Sequence, residues 1–148
     1  MIAILEVAIA EDRLLVEWSS HEELVVEDAE LSPHQSAVFF KRTRDAKVSS
    51  KRWKNRFYRD VEFKQNNRGI KNCLTNFMKL AGMPAHTYLR PATARIRYVI
   101  AQIEKRDSYD ELTPVAKAKW TKLLSHNERD GVGTREVLVT ECEDMERI

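Results

Sequence analysis

The chain has 148 residues, 43% hydrophobic and 32% charged, which fits one folded domain with a polar surface. Four glycines and four prolines are too few for long linkers. No apolar run reaches the roughly 18 residues that cross a bilayer, and Glu6 interrupts the apolar start without the basic residue or cleavage site of a signal peptide. We therefore expect one domain, residues 1–148, without a leader.

The formal net charge of +2 conceals three segments of different sign. Residues 1–40 contain nine acids and one base, residues 41–106 eighteen bases and four acids, and residues 107–148 ten acids and six bases. Such sorting indicates either a polyanionic partner for the basic centre or acid–base pairing within the fold.

Cysteine, histidine and glycine show no spacing typical of a cofactor site. Cys73 and Cys142 lie far apart, as expected of reduced thiols in a cytoplasmic protein. The four histidines have no metal-ligand spacing, and the four glycines form no phosphate loop. We expect neither metal nor other cofactor.

The N-terminal third is predicted to form an antiparallel meander. Residues 2–9 are rich in β-branched residues, and residues 14–18 and 23–27 are further candidate strands. Residues 2–9 could also begin a helix, because a short apolar run does not distinguish the two.

Helices are predicted for the basic centre. Ser32-Pro33 is a helix start, and residues 37–40 form either a short helix or a strand. Ser49 or Ser50 could cap a basic helix with Trp53 and Phe57 on one face, and residues 59–64 could instead form a strand.

Later patterns predict three helices and a closing strand. A stripe from Ile70 to Ala81 ends at Gly82, where a helix stop is expected. Residues 93–104 form a helix with Ile96, Val99, Ile100 and Ile103 inward, and Thr113-Pro114 starts another. Residues 127–133 are a polar loop, and residues 135–140 a strand that could join the N-terminal sheet.

These elements predict an α+β fold in which a small antiparallel sheet packs against about four helices. Its parts are an acidic β meander (1–31), a basic helical centre (32–106), and a helix with a closing strand (107–148).

The segment from Leu80 to Arg90 resembles the turn and second helix of helix-turn-helix DNA-binding proteins. Glycine at Gly82 permits a sharp turn, and Met83 plugs the junction. The resemblance implies that His86, Thr87 and Arg90 face base edges or phosphates. Pro91 would end the recognition helix early.

The same stretch also resembles the helix–glycine–helix part of ribbon-helix-helix proteins. There a basic, polar strand precedes the first helix, and residues 59–64 could supply it, although Asp60 and Glu62 suit a groove poorly. This resemblance implies a homodimer. An ordinary helical hairpin remains the alternative to both.

We predict a non-enzymatic protein that binds DNA or RNA, a regulator or accessory factor of the kind that viruses and mobile elements encode. Phosphate contacts release counterions, so a strongly basic segment can bind without base readout. The candidate nucleic-acid-binding residues are Arg42, Arg44, Lys51, Arg52, Lys54, Arg56, Arg59, Lys71, His86, Thr87, Arg90, Arg95 and Arg97.

Three alternatives stay open. Trp53, Phe57 and Tyr58 could stack on single-stranded bases, or Trp53 and Phe57 could be core. The acidic meander could engage a protein partner, as in an adaptor or inhibitor, or neutralise the basic helices. A metal-dependent nuclease would need carboxylates such as Glu17, Glu27 and Asp28 to converge beside Lys41.

Overall fold

The structure is a computed structural model that describes residues 2–18, 31–66, 69–84, 92–106 and 108–147. Most of the described residues lie in helices. The helices in these ranges are α1 (Ile2–Ala10), α2 (Pro33–Arg42), α3 (Ala46–Phe57), α4 (Leu74–Leu80), α5 (Ala92–Ile103) and α6 (Pro114–Glu146). Two strands, β1 (Leu15–Glu17) and β2 (Thr43–Asp45), pair in parallel, with Leu15 opposite Thr43. The predicted α+β fold with an antiparallel sheet is therefore wrong.

The predicted N-terminal meander is wrong at its first element, because residues 2–10 form α1, which confirms the helix that the sequence left open as the alternative. Leu5 and Ala8 are both buried, and Leu5 packs against Phe39 of α2. Positions three apart share a helix face but lie on opposite faces of a strand, so this packing requires a helix. Residues 15–17 do form a strand, but its partner is β2. The third predicted strand, 23–27, lies outside the described residues.

The predicted loop at 127–133 and closing strand at 135–140 are also wrong, because the 33-residue helix α6 runs through both. Thr134, Val137 and Asp144 are buried along one face of this helix. Gly133 lies against α4, where an added Cβ would stand 2.7 Å from Met78 Sδ. A close approach of two helices, rather than a loop, explains this glycine.

Several predicted helix boundaries are confirmed by their caps. Ser32 Oγ accepts from Gln35 N, and the Gln35 side chain accepts from Ser32 N, so α2 begins with a capping box at Pro33. Thr113 caps α6 in the same position before Pro114. Gly82 follows α4 with φ +77°, the left-handed conformation expected at a helix end.

The start of α3 differs from the prediction, because Asp45 rather than Ser49 or Ser50 is its N-cap. The two serines lie inside the helix and donate to the Glu141 carboxylate of α6. They join two helices instead of beginning one.

α5 buries less of its apolar stripe than predicted. Val99 is 1% exposed, whereas Ile96, Ile100 and Ile103 are 44%, 48% and 47% exposed. The helix packs chiefly on α6, and Val99 is its buried residue there.

The main core lies where α3, α4 and α6 meet. Trp53, Phe77, Met78 and Val137 are buried together, and the Trp18 ring stands edge-on to Phe77 with centroids 5.3 Å apart. Aromatic pairs in this geometry favour each other beyond their buried area. The side of α3 that carries Trp53 therefore packs in the core.

A buried carboxylate joins the end of α6 to α3. Asp144 Oδ2 accepts hydrogen bonds from Trp53 Nε1 at 3.0 Å and from Tyr58 Oη at 2.8 Å. The bond from Tyr58, followed by that from Trp53, holds the pKa of Asp144 below its ordinary value, and the same bond raises the pKa of Tyr58. The charged carboxylate therefore fixes which side of α3 faces inward.

The glycines of α6 provide a matched pair of substitutions. Gly131→Ala is expected to raise the free energy of unfolding by about 0.5–1 kcal/mol, because alanine favours a helix and nothing lies within 4 Å of the new Cβ. Gly133→Ala should gain less stability than Gly131→Ala, since the flexible end of the buried Met78 side chain must shift to make room for the new Cβ. Chemical denaturation measures both, and equal gains would contradict the close contact of α4 with α6.

Asp144→Ala is expected to lower the free energy of unfolding by about 3 kcal/mol, because the buried Trp53 indole loses its acceptor. Asp144→Asn keeps an acceptor and should lose less. Glu143→Ala changes a neighbouring carboxylate that is 58% exposed, and should stay within about 0.5 kcal/mol of the wild type. Losses of similar size in all three variants would contradict a specific role for Asp144.

The same contact predicts a pH dependence. Because the folded pKa of Asp144 is lowered, its contribution is complete above the ordinary carboxyl pKa of about 4 and is lost as pH falls through the folded value. The stability difference between wild type and Asp144→Asn should be constant from about pH 5 to 7 and shrink below about pH 4. Denaturation curves across this range measure it, and a difference that grows in acid would refute the assignment.

Candidate nucleic-acid interface

α3 turns its aromatic residues inward and its cations outward. Trp53 is 2% exposed, and Phe57 and Tyr58 pack half-buried against the same core. The interpretation of Trp53 and Phe57 as core residues is confirmed, and stacking of bases on Trp53 is excluded by its burial. Lys51, Arg52 and Arg56 are exposed on the rest of the helix.

A cleft of about 260 Å³ brings together three of the predicted cations, Lys54, Arg59 and Lys71. We call it the basic cleft, and its lining residues are Lys54, Asn55, Arg59, Val61, Glu62, Phe63, Lys71 and Asn72. The chain returns to α3 after the bend at residues 59–60, so positions 17 residues apart in sequence face one space. The cations of this lining suit an anion, and the side-chain amides of Asn55 and Asn72 can form hydrogen bonds with it.

The side-chain amide of Asn76 helps to hold the far wall of the basic cleft. Asn76 Nδ2, in α4, donates to Lys64 O at 2.8 Å and to Lys71 O at 2.7 Å. Between these points the Asn66 side chain accepts from Ile70 N, and Gly69 has φ +74°. The described residues on either side of positions 67–68 therefore have fixed contacts, although they form no regular secondary structure.

Lys54 occupies the boundary between core and cleft. Its Nζ stands 5.4 Å from the Phe63 centroid and donates to Tyr58 O at 3.4 Å. Phe63 in turn packs edge-on against Phe77, with centroids 4.8 Å apart. The Lys54 ammonium is therefore held at the cleft rather than extended into solvent.

A second depression, of about 400 Å³, lies beside the same segment. Lys64 and Lys79 contribute cations to it, and Val61, Glu62 and Phe63 line both depressions. Lys64 and Lys79, which are not among the candidate residues listed above, thus extend the positive surface. Their proximity depends on the path of residues 61–64, where the strand that the sequence offered for residues 59–64 does not form.

Little of the acid–base pairing that the charge sorting left open as an alternative occurs in the parts of the chain that the structure describes. There, no carboxylate oxygen lies within 4.0 Å of the charged groups of Lys51, Arg52, Lys54, Arg56, Arg59 or Lys71. Glu62 lines the cleft without such a contact to them. The acids of residues 19–30 are outside the described ranges.

Arg42 and Arg44 have local partners instead of facing the cleft. Arg42 pairs with Asp12 at 3.0 Å and donates to the carbonyl oxygens of Ala8 and Arg13, which ties α2 to the end of α1. Arg44 donates to the carbonyls of Lys41 and Thr43. Both arginines therefore stabilise the local structure around α2 and β2.

Two further candidates, Arg95 and Arg97, are not brought to the cleft. Arg95 is half-buried and Arg97 exposed on α5, which packs chiefly on α6 rather than α3. His86, Thr87 and Arg90 lie outside the described residues, so the proposed recognition helix is not among the elements above.

The helix and turn that precede residues 85–91 agree in part with the prediction. α4 begins at Leu74, later than the stripe starting at Ile70 predicts, and Ile70 is 44% exposed. Met83 packs against the main core and its amide donates to Met78 O at 2.8 Å. Helix-turn-helix and ribbon-helix-helix assignments both remain predictions.

The nuclease alternative gains no support. Glu17 is buried in β1, and Glu27 and Asp28 lie outside the described ranges. Among the side chains that the structure describes, no three His, Cys, Asp or Glu groups are placed to hold a metal ion. None of the helices described above is both long and apolar enough to cross a membrane.

No protein-family model matches the chain, and neither curated proteins nor solved structures gave a significant match. Function must therefore be argued from the contacts and charges of the chain itself.

Asn76→Ala tests how the cleft wall is held. Two backbone carbonyls lose their donor, so residues 64–71 should open locally, and trypsin should cleave after Lys64 and Lys71 several-fold faster than in the wild type. Thr75→Ala, one position away on α4, is the control and should leave cleavage unchanged. Equal cleavage rates in wild type and Asn76→Ala would contradict the role of the amide.

Proposed function

We propose that this protein binds nucleic acid through the basic cleft and the adjoining cations of α3, without catalysing a reaction. The observation that carries the proposal is the meeting of Lys54, Arg59 and Lys71 in one cleft, with no carboxylate paired to any of them in the described ranges.

The cations continue beyond the cleft along α3. Lys47, Lys51 and Lys54 follow at i, i+4 and i+7, so they lie on one side of the helix and span about 10 Å of its axis. A nucleic-acid strand carries one phosphate per about 3.4 Å of helix axis. The stripe and the cleft can therefore contact several successive phosphates.

The chemistry favours phosphate contacts over base readout. Lysine and arginine recognise phosphate by charge and hydrogen bonding, and Phe63, the aromatic residue that lines the cleft, packs edge-on against Phe77. Asn55 and Asn72 add amide groups at the cleft. Binding of this kind is weakly selective for sequence and strongly dependent on salt.

The test is fluorescence anisotropy with labelled duplex DNA, single-stranded DNA and hairpin RNA over a salt series. The wild type should lose affinity steeply as salt rises. Arg59→Glu with Lys71→Glu should weaken binding at least about tenfold at low salt and reduce the slope of log affinity against log salt by about 1–2.

The control is a pair of reversals with the same change in net charge outside the cleft, Arg129→Glu with Lys105→Glu, both exposed. These should weaken binding much less. Equal effects of the two pairs would refute the cleft as the site, and absence of binding to all three probes at low salt would refute the function.

A protein-binding role is the second candidate, and one observation favours it. A groove of about 830 Å³ between β1 and α6 combines apolar side chains with the carboxylates of Asp130, Glu143 and Glu146, of which Asp130 also pairs with His126 and Glu143 with Arg147. This lining suits a basic amphipathic peptide segment. Residues 2–10 form α1 rather than a strand of the predicted acidic meander, so among the described residues this acidic surface comes largely from α6.

A further inference from the structure

An apolar stripe on α5 has the spacing of a helix-pairing seam. Ile96, Ile100 and Ile103 follow at i, i+4 and i+7, which is the alternation of four and three residues found in two-helix coiled coils. Each is nearly half exposed, while the buried contact of α5 is Val99. The stripe is therefore separate from the packing of α5 on α6.

α6 extends this surface on the same side. Lys119 Nζ stands 3.7 Å from the Tyr98 centroid, which marks one side of the α5–α6 hairpin. A turn of 100° per residue places the three isoleucines on the opposite side of α5, and Trp120 and Leu124 on that same side of α6. Trp120 is 37% and Leu124 51% exposed. We call these five residues the isoleucine face.

The border of the isoleucine face carries both signs of charge. Helical geometry places Arg97 and Glu104 at its edge on α5, and Lys117 and Glu128 at its edge on α6. A nucleic acid or an anionic membrane would favour a basic border. A balanced border instead allows a second copy, turned about a two-fold axis, to set opposite charges against each other.

The area is sufficient for a specific dimer. Five half-exposed large side chains leave on the order of 400 Å² of apolar surface on one copy. Two copies would bury about 800 Å², and with an apolar share of about 60% the whole interface would be about 1,300 Å². That value lies in the range of specific protein interfaces.

We propose that the isoleucine face is a self-association surface, where α5 of one copy packs against α5 of a second copy across a two-fold axis. The inference does not depend on nucleic-acid binding, because it uses neither the basic cleft nor the cations of α3.

Analytical ultracentrifugation of the full chain tests the proposal. The wild type should form dimers with a micromolar dissociation constant, and Ile100→Glu should raise that constant at least about tenfold. Val115→Glu is the control, because Val115 is 56% exposed and lies one turn before Lys119, on the other side of the hairpin. It should leave dimerisation unchanged, with both variants folded by circular dichroism.

Cysteine cross-linking keeps the test independent of the stability of Ile100→Glu. In a chain carrying Cys73→Ser and Cys142→Ser, Ile100→Cys should form a disulfide-linked dimer on mild oxidation, and Val115→Cys should not. A wild type that stays monomeric at about 200 µM would overturn the proposal. So would equal cross-linking at both positions, or sedimentation of a monomeric wild type with anionic phospholipid vesicles that Ile100→Glu abolishes.

Discussion

Asp144 carries its charge into a buried position where the indole of Trp53 and the phenol of Tyr58 both donate to it. A buried carboxylate is costly unless such donors satisfy it. Once they do, the last turns of α6 are joined to α3, and the rotation of α3 about its axis is set. The outward display of Lys51, Arg52 and Arg56 follows from that contact.

The long helix α6 contacts both α3 and α4 along its length, in addition to the contact at Asp144. Gly133 meets Met78 of α4, Glu141 accepts from the serines of α3, and Asp144 lies one turn further on. Asn76 of α4 then fixes the segment that closes the basic cleft. The cleft therefore depends on two helices that α6 holds in place, although α6 supplies none of its lining residues.

The sequence predicted those features that depend on neighbouring residues. The caps at Ser32 and Thr113 and the glycine turn at Gly82 are local chemistry, and each is confirmed. The strands at 2–9 and 135–140 were wrong because β-branched apolar runs fit either secondary structure until their packing partners are known. Leu5 packs against α2, and Val137 packs against α3 and α4, all of which are distant in the sequence.

For the candidate site, too, the sequence predicted what depends on local composition and missed what depends on distant contacts. Charge sorting indicated which third of the chain is basic, but could not show that Arg42 binds Asp12 or that Lys54 and Lys71 share a cleft with Arg59. The shared cleft depends on the irregular path of residues 58–66 and 69–73, to which Asn76 and Phe77 make contacts, whereas the Arg42–Asp12 pair depends on how α1 meets α2. Burial of Trp53 likewise reflects a partner 91 residues away.

The most direct test of the anchor is hydrogen exchange at the tryptophan indoles, followed by NMR. The Trp53 Nε1–H should exchange as slowly as the most protected backbone amides, because it opens only when α3 leaves α6. The indole of Trp120, 37% exposed, should exchange much faster. If Trp53 exchanges as quickly as Trp120, Asp144 does not hold α3, and the orientation of the basic surface has no structural cause.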